Sequence, residues 1–106
     1  MTGVYSKRLA GISNQSGTAG VFVVPAGHIW VAKSMTAVTR SHTANDAFYV
    51  QWPAPFIVWG LVTAAAGFYI AWTWTGMAVA NAGESCYLAP SAGTWDIQVS
   101  GYDLIA

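Results

Sequence analysis

A chain of 106 residues is the length of one ordinary domain and leaves no room for two independent cores. Only 8% of it is charged, four basic residues against four acidic, while 55% is apolar and 14% aromatic. The zero net charge leaves no basic footprint for nucleic acid, and a single cysteine, Cys86, excludes an intrachain disulfide, a zinc finger and a redox CxxC pair.

In chain order the sequence reads as short apolar runs separated by turn signals. Val4 to Leu9 starts as a strand and yields to the polar stretch Ser13-Asn14-Gln15-Ser16-Gly17. Asn14-Gln15-Ser16 matches a glycosylation sequon but is read as part of that polar turn. Gly20 to Val24 is an apolar strand closed by Pro25-Ala26-Gly27, where proline presets φ and glycine completes the turn. A long strand from His28 to Arg40 follows, then a loop over Ser41 to Asn45 and a strand over Ala47 to Trp52. Phe56 to Thr63 and Gly67 to Ala80 come next, joined by Ala64-Ala65-Ala66. Ser85 to Leu88 and Thr94 to Leu104 complete the set, divided by Pro90-Ser91-Ala92-Gly93.

These eight strands, spaced as in a sandwich or barrel, predict an all-β fold: a single β-sandwich over residues 1–106, Greek-key or jelly-roll-like. The runs at 28–40 and 67–80 exceed ordinary strand length, so each is expected to bend or bulge. Val23 to Val31 (VVPAGHIWV) echoes Val79 to Tyr87 (VANAGESCY), and the echo predicts that Gly27 and Gly83 close equivalent hairpin corners.

A neutral, charge-poor surface favours association, so much of the outside is expected to be covered. Lipid is one candidate. Residues 47–83 contain no charge, and 54–72 is long enough for a transmembrane helix. Against a helix stand the β-prone composition, the punctuation by Pro53, Pro55, Gly60, Gly67 and Gly76, and a period of two. In that alternation Tyr69, Ala71, Thr73 and Thr75 share one face, and Phe68, Ile70, Trp72 and Trp74 the other. Protein is the preferred covering. The aromatics exceed what one small core needs, and Phe56, Trp59, Trp72 and Trp74 are the candidate contact residues. A carbohydrate-binding β module is a second way to use exposed aromatics.

Catalytic chemistry has no visible carrier, and no catalytic, cofactor-binding or metal residues are assigned. His28 and His42 lie fourteen positions apart without other ligands at metal-site spacing. Ser41, His42 and Asp46 are too close in sequence to suggest a triad assembled across a fold. The four carboxylates are read as turn or surface charges, and Cys86 as a small buried strand residue.

Val24-Pro25-Ala26-Gly27 with Trp30 and Val31, the segment Ala82 to Leu88 (AGESCYL), and the ending Trp95 to Leu104 (WDIQVSGYDL) together resemble small structural proteins of tailed bacteriophages. The resemblance implies a non-enzymatic β-sandwich virion subunit, a minor tail or tail-tip component ahead of a capsid decoration protein. Its partners would be other virion proteins and copies of itself. It implies no cofactor, and synthesis in the host cytoplasm without a signal peptide, in keeping with a start (MTGVYSKRLAG) that lacks an apolar secretory core.

Overall fold

The computed structural model of the chain describes residues 3–39, 41–42, 46–62, 67–68 and 71–105. Its regular structure is all strand: β1 (Gly3–Gln15), β2 (Gly20–Val23), β3 (His28–Thr39), β4 (Ser41–His42), β5 (Ala47–Gln51), β6 (Ile57–Val62), β7 (Gly67–Phe68), β8 (Ala71–Asn81), β9 (Ser85–Ala92) and β10 (Trp95–Ile105). Sheet A runs β1-β10-β3-β8, sheet B runs β2-β9-β5-β6, and the two-residue strands β4 and β7 pair with each other. Every pairing is antiparallel. With β4 and β7 set aside, the eight remaining strands follow the jelly-roll order, two Greek keys closed face to face. The expected sandwich is therefore present, and the connectivity resolves which kind it is.

The core lies between the sheets and follows from period two. On β10 alternate residues Trp95, Ile97, Val99, Gly101 and Asp103 are buried, and on β5 Phe48 and Val50 are. Trp95, Ile97 and Val99 are fully buried, worth roughly 1.5–3 kcal/mol each for side chains of this kind. Large rings fit because their strand neighbours are small. Ala37 sits between Ile97 on β10 and Trp72 on β8, and Trp72 reaches over it to Trp95, ring centroids 5.7 Å apart. Phe48 of sheet B closes on the same Trp95 at 4.6 Å and on Trp59 at 4.7 Å. A second ring pair, Trp30 with Trp52, stacks at 6.0 Å.

Several boundaries differ from the sequence expectation. The polar stretch Ser13 to Gln15 continues β1 instead of forming a loop. Gln15 still pairs with Trp95, and Asn14, at φ 53, donates its backbone N–H to Asp96 Oδ1 at 2.6 Å across a register shift. The turn expected at Pro90 to Gly93 starts later, because β9 runs to Ala92. Pro90 pairs with Phe48 of β5 and lies beyond Leu88, the last residue of β9 that pairs with β2. The single strand expected over 67–80 is recorded as β7 and β8, with residues 69 and 70 outside the described set, as are the Ala64 to Ala66 join and Arg40. The described part of 54–72 is turn and strand, and among the described residues no helix is long and apolar enough to cross a membrane. Both long strands carry the expected irregularity. Register shifts at Ser100/Gly101 and at Ala32/Ser34 fall at one level of sheet A, in line with a shift at Arg8/Ala10.

Gly27 and Gly83 both have positive φ, 79° and 84°. Their corners are arches between the sheets and not hairpins within one, since β2 and β9 belong to sheet B and β3 and β8 to sheet A. The arches hydrogen-bond to each other: Gly83 donates its N–H to the Val24 carbonyl at 2.9 Å, and Val24 donates to the Glu84 carbonyl at 3.0 Å.

Candidate interaction surfaces

Charge is segregated between the sheets. Lys7 and Arg8 lie on β1, Lys33 on β3, and Asp96 and Asp103 on β10, all in sheet A; β2, β5, β6 and β9 carry no charged residue. Pairing in sheet B sets Val21 opposite Tyr87, Tyr87 opposite Gln51, and Gln51 opposite Ile57. That row crosses all four strands, and its two ends are exposed, Val21 at 57% and Ile57 at 62%. An uncharged sheet face with exposed aliphatic ends is suited to burial against protein.

The second feature is the edge formed by β6 and β8. β1 and β2 touch at one side of the sandwich, and β6 and β8 are the edge strands at the other. Val58, Trp59, Leu61, Trp72 and Trp74 are only partly buried there, packed on the core from its rim. Phe56 precedes β6 and is 66% exposed, and Met77 on β8 is 67% exposed. The four candidate contact residues thus lie on or next to the edge strands β6 and β8, in different roles. Phe56 is free surface, while Trp59, Trp72 and Trp74 are both core and rim. The face assignment on β8 follows the expected alternation, with Ala71, Thr73 and Thr75 outward and Trp72 and Trp74 inward.

At the arch end of the sandwich lies a polar cluster the sequence reading missed. Asp103, expected as a turn or surface charge, is buried at 2% exposure; away from this cluster, just before β5, Asp46 is buried as well. Asp103 Oδ1 lies 2.7 Å from His28 Nδ1, and Oδ2 lies 2.9 Å from Lys7 Nζ. Burial pushes the Asp103 carboxyl up, but these two bonds and the two nearby positive charges outweigh it and hold the group below its ordinary value. An ionised carboxylate only accepts, so His28 Nδ1 is the donor. The signal was present in the alternation that aligns Asp103 with Trp95, Ile97 and Val99. Ser41 and His42 side chains lie outside the described residues.

Cys86 is buried on β9, and burial, with a smaller push from Glu84, raises its thiol to about 12, so it is an inert packing group. Among the described residues no group of three or more His, Cys, Asp or Glu could hold a metal ion. An open groove of about 450 Å³ follows the free edge of β1 from Arg8 to Ser13, flanked by Phe22 and Gln98.

In comparison with known proteins, no family model matches the chain, and no curated protein or solved structure matches it significantly.

Proposed function

We propose that the chain is a non-enzymatic structural subunit of a tailed-phage virion, a minor tail or tail-tip component that works by assembling with other virion proteins and with copies of itself. The observation that carries this reading is the placement of apolar surface. A sheet without charged residues and an edge of half-buried Trp59, Trp72 and Trp74 with exposed Phe56 occur on one small sandwich. Faces of this kind are a liability in a free monomer and an asset in a repeated lattice or ring. The jelly roll is an architecture used by viral capsid and lectin domains alike, so the fold by itself does not choose between them. The sequence resemblance to phage structural proteins inclines the reading to a virion.

Mass spectrometry of density-banded particles from the phage that encodes the chain tests this, with heads and tails separated. The proposal expects the chain in the tail fraction. Recovery with heads would make it a decoration protein, and absence from intact particles would contradict a virion role.

A further inference from the structure

We infer that two copies of this chain join through β8, edge to edge and antiparallel, with the two-fold axis at Thr73, so that sheet A continues across the pair as eight strands. The inference rests on the assembly reading and names the surface and the partner.

The four sheet edges differ in how they are guarded. β1 carries Lys7 and Arg8 and two register shifts, β2 has only four residues, and β6 has six with a shift next to Ile57. Short strands, cationic side chains and bulges are the devices that keep edges from pairing. β8 has eleven residues with neither a charge nor a proline, and its register shift falls beyond Thr75, at Gly76 and Met77. Its first five residues, Ala71 to Thr75, pair with Val38 to Ser34 in unbroken register, so their outer edge is a regular template.

That template is self-complementary. Trp72-Thr73-Trp74 reads the same in both directions, and an antiparallel partner centred on Thr73 sets like residues against like. Trp72 would lie opposite Trp74 of the partner subunit on the inward face, and Thr73 opposite Thr73 of the partner subunit on the outward face. Aromatic and threonine pairs are among the favourable cross-strand combinations. The partner's rings would also cover the rim that leaves Trp72 and Trp74 half-buried. Pairing β8 with β1 of a second copy offers no such match, because Lys7 and Arg8 would face a strand without a carboxylate. A second copy joined isologously is therefore the occupant that charge and sequence both favour.

The test is Thr73→Lys, read by light scattering after size-exclusion chromatography at physiological salt. Thr73 is exposed, so the fold should tolerate the change, and unchanged circular dichroism would confirm it. Two ammonium groups facing across the axis should weaken association about tenfold. Thr36→Lys is the matched control, on the same face and directly opposite Thr73 but one strand in from the edge. It should associate like the parent. Mixing Thr73→Lys with Thr73→Glu should restore the pair. Association of Thr73→Lys equal to the parent, equal weakening by Thr36→Lys, or a parent of one or three chains would each overturn the two-fold pairing. Recovery of the chain from intact particles alongside any of these would leave the subunit reading standing, so the two failures are distinct.

Discussion

Gly101 leaves no room for a side chain. A Cβ there would run into the carbonyl oxygen of Val31 and come within 3.0 Å of the Lys33 nitrogen. The cause is the extra residue in β3: Ala32 pairs with Gly101 and Ser34 with Ser100, which leaves Lys33 over and presses the β3 backbone towards β10. Because the obstacle is backbone, Gly101→Ala should cost on the order of 3 kcal/mol in urea denaturation. Gly11→Ala, whose nearest contact would be the Ile97 oxygen at 3.6 Å, should stay within about 0.5 kcal/mol of the parent.

At Asp103 the expected behaviour is a pH dependence. Its carboxyl is held below the unfolded value of about 3.9, so its stabilising contribution is complete above that pH and is lost as pH falls through the folded value. Asp103→Asn should therefore be less stable than the parent at neutral pH, and the two should converge as pH is lowered below about 4. Parallel denaturation curves at pH 7 and in acid check this. A constant gap between them would mean that the His28 and Lys7 contacts do not depend on the charge.

At the scale of elements, the paired arches around Gly27 and Gly83 close the end of the sandwich. Each glycine has a φ that L side chains avoid, with open space around it, so valine would meet backbone strain and no clash. Gly27→Val and Gly83→Val should each lose on the order of 1 kcal/mol or more in thermal or urea melts. Melts that coincide with the parent would detach the arches from stability.

These arches were legible in the sequence because proline, glycine and a local echo mark them. Their crossing from sheet to sheet was not, since local turn chemistry does not tell which sheet receives the next strand. The extension of β1 through Ser13-Asn14-Gln15 was hidden for a similar reason. Its polar composition signals a loop, and only pairing with Trp95 makes it strand. Alternation put Trp72 and Trp74 on one face of their strand but could not tell that this face is the inward one. That Trp59 and Trp72 lie on edge strands at the same side of the sandwich follows only from the jelly-roll order. The Asp103 cluster was overlooked because a lone carboxylate on a core face needs partners from β1 and β3, far away in sequence.

At the scale of the whole molecule, the two sheets have different surfaces. Sheet A holds the charged strands and, at β8, an edge strand without charge or proline, while the strands of sheet B are uncharged and end in exposed Val21 and Ile57. With a net charge of zero, little long-range repulsion keeps copies apart. These properties favour a subunit whose stable form is multimeric. The most direct measurement is the mass of the purified parent chain by light scattering across a dilution series. A stable species of two or more chains, a multiple of 11.2 kDa, is predicted. A monodisperse 11.2 kDa species at every concentration would contradict self-assembly.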